Sequence, residues 1–214
     1  MTPFRLPPLQ RAVATRVLER APDFFIAKGA ALVLHGGHRP TDLLDLSAPS
    51  HDDALLATLG EELETFARAC AHEVRTQAAT PVMRLLVFRG GGETCAVTLR
   101  LSQPVLDLQR ATLDGLRVET RREVRAWLLG RARSTEDLVD LSRLLEGASC
   151  REAVADAWAL TSDAQPGLVA WALAQVELDS KALPPDVDAA ALETLRQALL
   201  LEAERQAAEA TLLP

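Results

Sequence analysis

No apolar run in this chain approaches the roughly 18 to 20 residues that a membrane-crossing helix needs, so a membrane is not an expected partner. Its opening residues, MTPFRLPPLQRAVATRV, lack the continuous apolar stretch of a secretory leader. Cysteine is scarce. Cys70, Cys95 and Cys150 are odd in number and scattered, with no C-x-x-C pair. That pattern indicates neither a zinc site nor a disulfide framework, and a reducing cytoplasm is the expected compartment. The G-x-S-x-G, Walker A and H-E-x-x-H patterns are missing too, which leaves hydrolase and P-loop readings without support. Lysine is nearly absent. Lys28 and Lys181 stand alone in a cationic set otherwise made of Arg, a bias that matches a GC-rich bacterial genome and carries no mechanism.

What is present describes a globular protein. With 214 residues and 48% hydrophobic content the chain can bury a full core. The net charge of −7 is spread along its length, which works against broad nucleic-acid binding, a process driven by phosphate neutralisation. One local exception is Arg117 to Arg133, where six Arg accompany Glu119 and Glu123. This segment reads as a solvated helix face with i, i+4 ion pairs, or as a phosphate-facing patch; the first is the simpler.

Periodicity predicts the elements. Leu9, Val13 and Val17 place an amphipathic helix over 7–20, started by Pro7-Pro8. Phe24 to Ala27 is a short entry strand or loop, Gly29 to His35 a short helix, and Leu43 to Leu46 a strand. Asp52-Asp53 opens a helix through Leu55, Leu59, Leu63, Phe66 and Cys70. Strands Val82–Phe88 and Cys95–Leu101 form a hairpin about Arg89-Gly90-Gly91-Gly92. Helices follow over 120–129 and, capped by Ser134 or Thr135, over 134–145. From Cys150 the pattern is helical: 150–161, 165–178, and a last helix over about 186–210 with Leu192, Leu195, Leu199, Ala203 and Ala207 on one stripe. Leu200 and Leu201 lie off that stripe, so this helix serves either core packing alone or packing plus a partner. Trp127, Trp158 and Trp171 read as packing or interface anchors.

The segment FFIAKGAALVLHGGHRPTDLLDLS, Phe24 to Ser47, carries the strongest motif. A turn at Gly29 enters a helix, His38-Arg39 and Thr41 follow, and Asp45 sits on a short apolar strand. In order and spacing this resembles the AbiEii/AbiGii type of nucleotidyltransferase, within the DNA polymerase β-like superfamily. Its pattern runs L-x-G-G-T-A-L, then G-H-R-x-[ST]-x-D-[IL]-D-[LF]. Here Lys28 replaces the first Gly, Ala30 the Thr and Leu43 the first Asp of the D-x-D pair. The strand ETCAVTLRLSQPV resembles the family strand bearing a third acid, and Thr98 stands at that acid's place. Farther on, Val118, Thr120, Glu123, Arg131 and the run Asp137-Leu138-Val139-Asp140-Leu141 fit the family's helical region. Its Lys-bearing turn is missing near Trp127-Leu128, and Glu136 replaces an Arg.

The resemblance covers about residues 9 to 146. It implies an α/β (α+β) fold with a small mixed sheet flanked by helices, as a domain over 1–146, and a helical extension over 147–214. It also implies metal-dependent chemistry, for which the residues are depleted. Nucleotidyl transfer uses Mg²⁺ held by carboxylates and substrate phosphates. On a strand, D-x-D aims two carboxylates at one site; here only Asp45 remains. Asp42 points the other way unless a bulge turns it. Lys28, Gly29, His38, Arg39 and Thr41 are the candidate nucleotide-binding residues. For Lys28-Gly29, phosphate binding at the helix start and a plain tight turn are equally open. His38-Arg39 is expected to brace its loop through backbone or Asp45, and His35, His38 and His51 match no usual metal spacing.

The family contains toxins of toxin–antitoxin and phage-defence systems. The expectation is a catalytically inactive nucleotidyltransferase fold serving as a binding or structural subunit of a bacterial assembly. It needs no cofactor and meets a protein partner or another copy through its C-terminal helices. The alternative is a divergent active enzyme that uses Asp45 and Mg²⁺ with Asp42, Glu93 or Asp107.

Overall fold

A computed structural model describes residues 5–49, 52–101, 106, 109–160 and 164–211. The chain forms two compact units that meet in sequence at Glu119/Thr120, with the turn Gly36–His38 belonging to the second. Compactness thus divides the chain earlier than the expected boundary after residue 146, and the helices at 121–144 group with the C-terminal ones.

The first unit contains, in order, α1 (Pro8–Arg20), β1 (Phe25–Ala27), α2 (Lys28–Leu34), β2 (Leu43–Ala48) and α3 (Asp53–Ala69). These are followed by β3 (Glu73–Thr80), β4 (Met83–Gly90), β5 (Glu93–Leu101), β6 (Ala111–Leu113) and β7 (Leu116–Val118). Among the described residues the strands make one seven-stranded mixed sheet, ordered β3-β4-β5-β2-β1-β7-β6. β2 runs parallel to β5 and antiparallel to β1, and β1 runs parallel to β7. The expected α/β architecture, with the 43, 82 and 95 strands in one small mixed sheet, is what the chain forms.

Strand alternation sorts this sheet into two faces. Ile26, Leu44, Leu46, Leu86, Phe88, Val97, Leu99 and Val118 are wholly buried on one face. The other face carries Leu43, Asp45, Ser47, Ala96, Thr98 and Arg100. α1 starts with Pro at its first position and buries Leu9, Gln10, Val13, Ala14 and Val17. α3 is capped by Asp52, whose carboxylate accepts from Ala54 N–H at 3.1 Å. Its buried stripe is Leu56, Leu59, Leu63 and Ala67. The expected stripe is therefore rotated: Leu55 and Phe66 are half-buried and Cys70 is exposed.

The β4–β5 hairpin turns on Gly91 and Gly92, both at positive φ, the twist-matched geometry such loops require. Three strands went unpredicted. β3 is an edge strand, mostly exposed and bulged between Thr76 and Ala78, so it lacks the alternation that marks a half-buried strand. β6 and β7 are three residues each, joined by Asp114-Gly115 with φ of 54° and 77°. That Asp-Gly turn was the available hairpin signal.

The second unit is helical: α4 (Arg121–Leu129), α5 (Thr135–Leu144), α6 (Cys150–Leu160), α7 (Pro166–Ala174) and α8 (Ala189–Thr211). α4 opens with a capping box between Thr120 and Glu123, and Ser134 caps α5. α7 ends four residues before its expected limit of 178. The Ser162-Asp163 break expected between α6 and α7 lies outside the described residues. α8 packs on its neighbours through Gln206 Nε2, which donates to the Arg151 carbonyl at 2.9 Å, and Arg196 Nη1, which donates to the Leu173 carbonyl at 2.8 Å. Leu192, Leu199, Ala203 and Gln206 are its buried residues; Leu195 and Ala207 of the expected stripe are half-buried.

Candidate functional site

The turn from β1 into α2 places Lys28 at φ 54°. Left-handed backbone is costly for any residue with a Cβ, which explains why the resembled pattern has Gly at this position. The Lys28 backbone N–H donates to Glu119 Oε2 at 2.7 Å, and His35 Nε2 lies 2.8 Å from the Glu119 carbonyl oxygen. A carboxylate from just beyond β7 therefore sits at the first N–H of α2, where an anionic ligand's oxygen would otherwise be received. Gly29 packs closely on the turn: a Cβ there would lie 3.3 Å from Thr41 Oγ1, so the Thr41 side chain would have to give by a few tenths of an ångström.

Thr41 closes on itself as a turn residue. Its hydroxyl donates to the Leu43 carbonyl at 3.1 Å and accepts from Leu43 N–H at 3.3 Å. Gln10, only 1% exposed on α1, donates from Nε2 to the Thr41 carbonyl at 2.7 Å. Nothing in the sequence marked Gln10 as part of this loop; a polar residue on the apolar stripe of α1 was the only sign. Arg39 is half-buried beside Thr41 in sequence.

Within the second unit, His38 is bound to Asp140. Its backbone N–H and its ring Nδ1 lie 2.7 and 2.8 Å from the same oxygen, Asp140 Oδ1. Asp140 is fully buried. The brace expected of His38 thus runs to the second Asp of the Asp-Leu-Val-Asp-Leu run, a partner 102 residues away. A buried carboxylate needs such donors.

The strand β2 bears on the chemistry most directly. Asp45 pairs with Ala27 on one side and with Thr98 on the other. Leu43 pairs with Ala96, and the β2–β5 register is unbroken from Leu43 to Ala48. Asp42 precedes the strand, is exposed, and gives its carbonyl to Ala96 N–H at 3.1 Å. No bulge therefore turns Asp42 onto the face of Asp45. Thr98 is the cross-strand neighbour of Asp45, as expected of the position that carries a third acid in the resembled family. Asp45 is 7% exposed and Thr98 5%. Glu93 lies at the far end of β5, opposite Gly90. Five residues separate it from Thr98, about 16 Å along a strand. Asp107 and His51 lie outside the described residues.

A hard divalent cation takes several oxygen ligands, carboxylates foremost. The row Leu43, Asp45, Thr98 offers one carboxylate, one hydroxyl and an isobutyl group. Among the described residues no cluster of three or more His, Cys, Asp or Glu is arranged to hold a metal ion. This donor set does not fit Mg²⁺.

The Arg-rich segment is largely spent on tertiary contacts. Arg122 and Arg125 both reach Asp156 on α6, at 2.6 and 3.0 Å. Arg121 donates to the Arg143 carbonyl and pairs with Glu146, Arg117 donates to the Leu18 carbonyl, and Arg131 stacks on Trp127 at 4.6 Å. Glu123 accepts the Thr120 and Leu106 N–H groups, and Glu119 accepts that of Lys28.

No family model matches the chain, and no curated protein matches it in sequence. Solved structures do match in fold. A Helicobacter pylori protein described as a candidate nucleotidyltransferase aligns at 16% identity with a TM-score of 0.54, over 94% of this chain and 92% of that one. JHP933 from Helicobacter pylori aligns at 15% identity and the same TM-score, over 95% and 94%. At such identities the likeness speaks for architecture alone, and on it the chain has a nucleotidyltransferase-like fold.

Proposed function

We propose that this protein is a catalytically silent nucleotidyltransferase of the AbiEii/AbiGii kind, retained as a binding or structural subunit of a bacterial cytoplasmic assembly. The observation that carries the reading is the row Leu43–Asp45–Thr98. In it, the two positions flanking Asp45 that would complete an acidic metal site hold an apolar and a hydroxyl side chain. The Glu119 carboxylate on the Lys28 N–H supports it further, because it puts a fixed negative charge where a triphosphate would approach. On this reading Lys28, Gly29, His38, Arg39 and Thr41 hold the scaffold, and no metal or cofactor is used. The helical unit supplies the protein contact.

Calorimetry with each of the four NTPs plus Mg²⁺ or Mn²⁺ is the test. The expected result is no metal-dependent binding at micromolar concentration. Micromolar binding that Asp45→Ala abolishes would establish a divergent working transferase instead.

A further inference from the structure

α1 carries a second stripe beside its buried one. Arg11, Ala12, Thr15, Arg16 and Glu19 recur at the three- and four-residue spacings of one helical face. Together with Phe66 of α3 they line an open groove of about 520 Å³, a volume within the range of small-molecule clefts. The Arg84 guanidinium fills the space that a Cβ at Gly60 of α3 would need, and strand alternation sets Arg84 on the face of Leu86 and Phe88. α3 therefore lies on the side of the sheet opposite Asp45, and the groove lies there with it.

One cation in this groove is left over. Arg11 is bound to Asp114, through Nη1 to the carboxylate and through Nη2 to the carbonyl at 2.8 Å. Glu62, four residues before Phe66 on α3, pairs with Arg20 at 3.1 Å. Arg16 is half-buried, and among the described residues it makes no ion pair, hydrogen bond or ring contact. Its Nε–H is shielded from solvent and has no acceptor. Glu19, three residues along the helix, is exposed and does not pair with it. A dehydrated donor without an acceptor is costly, and a guanidinium with a free edge matches the two oxygens of a carboxylate or phosphate. The hydroxyl of half-buried Thr15, the residue before it, also makes no hydrogen bond among the described residues. Half-buried Phe66 and exposed Ala12 supply an apolar wall.

We propose that the groove between α1 and α3 binds a small organic anion, with one carboxylate or phosphate head on Arg16 and Thr15 and an apolar, ring-sized body on Phe66 and Ala12. The Arg16 Nε–H and one Nη–H donate to two oxygens of the head, and the Thr15 hydroxyl donates to one of them. Glu19 at the rim repels further negative charge, so a polyphosphate is a poorer fit than a head of one group. The site uses no residue of the Leu43–Asp45–Thr98 row and does not rest on catalytic silence. Nucleotide calorimetry bears on that row, and the measurements below bear on the groove.

The probes are benzoate and phenyl phosphate, titrated against the full chain by ligand-observed NMR. Inorganic phosphate presents the head without a body, and benzyl alcohol the ring without a charge. Both aromatic anions should bind with Kd of about 1 mM or tighter, as fragments of this size can. The two controls should bind about tenfold more weakly or worse. Arg16→Gln should weaken both anions by about tenfold or more, while Arg75→Gln, at an exposed position on β3, changes nothing. Circular dichroism checks the fold of each variant. Contacts between the ring protons of the probe and those of Phe66 place the bound anion in the parent chain, with no variant needed. The proposal is overturned by absence of binding, by binding that Arg16→Gln leaves unchanged, by inorganic phosphate binding as tightly as phenyl phosphate, or by probe contacts that miss Phe66.

Discussion

The backbone N–H of Lys28 and the carboxylate of Glu119 meet at 2.7 Å across 91 residues of chain. This contact ties the turn after β1 to the end of β7, and it does so at a residue with φ of 54°. A strained Lys at the entry to α2 persists because its N–H is held by a charge-assisted hydrogen bond. The same bond gives the helix start an anion of its own.

Lys28→Gly should therefore stabilise the protein by about 1 kcal/mol, because Gly adopts this backbone without the Cβ penalty. Glu119→Ala should destabilise it by about 1 to 2 kcal/mol. Urea midpoints measure both. A Gly variant less stable than the parent would show that the Lys28 side chain has a structural role outweighing the backbone strain.

Refilling the depleted row should recreate a metal site. Thr98→Asp alone is expected to cost about 1 to 3 kcal/mol, since it buries a second carboxylate beside Asp45. In the double variant Leu43→Asp with Thr98→Asp, Mn²⁺ or Mg²⁺ should raise Tm, as binding to the folded state alone requires. A parent chain that gains as much from metal as the double variant would contradict the geometry.

The His38–Asp140 contact should dominate the stability of its unit's polar interior. Asp140→Ala leaves the His38 N–H and Nδ1 without their acceptor and is expected to cost about 3 kcal/mol. Asp156→Ala, which strands the guanidinium of Arg125, belongs in the same range of about 3 to 5 kcal/mol. Chemical denaturation of each variant is the measurement, and a cost under about 0.5 kcal/mol for either would remove it from the core network.

Burial, and then the charges of Glu93 and Asp42, push the Cys95 thiol up to about 12 from an ordinary 9.0. A folded value above the unfolded one means that this contribution is full below pH 9 and is lost as pH rises through about 12. At pH 8, alkylation of the native protein should label exposed Cys70 and spare Cys95, read by mass spectrometry of peptides. At the acid end, hydrogen bonds from Arg196 and then Gln197 hold Glu193 down to about 2 from 4.5. Its support is present above about pH 4.5 and fades as pH falls towards 2. Solvent keeps it small, since the side chain is 42% exposed. Glu193→Gln should flatten that acid limb of the stability curve only slightly.

Much of the fold was legible because its signals are local. Pro7-Pro8 before α1, Asp52 before α3, Thr120 at the start of α4, Ser134 before α5 and the Gly pair in the β4–β5 turn each act within a few residues, and each stands where it was expected. β3 was missed because an exposed edge strand buries little and so shows no alternation. β6 and β7 were missed because three-residue strands carry no period, although Asp114-Gly115 was there to be read. The stripe on α3 was displaced because Leu55 and Leu56 are equally apolar, and only packing chooses between them.

For the site, the sequence by itself determined what is chemically lacking. Leu43 and Thr98 cannot offer carboxylates wherever the chain puts them, and strand alternation alone assigns Leu43 and Asp45 to one face. Tertiary structure decided who meets whom. Thr98 became the neighbour of Asp45 through the parallel β2–β5 pairing, His38 found Asp140, and Glu119 found the Lys28 N–H. These choices depend on contacts between residues dozens to a hundred positions apart. Their energies are comparable to those of the local alternatives, and only the packed chain brings the competing partners within reach.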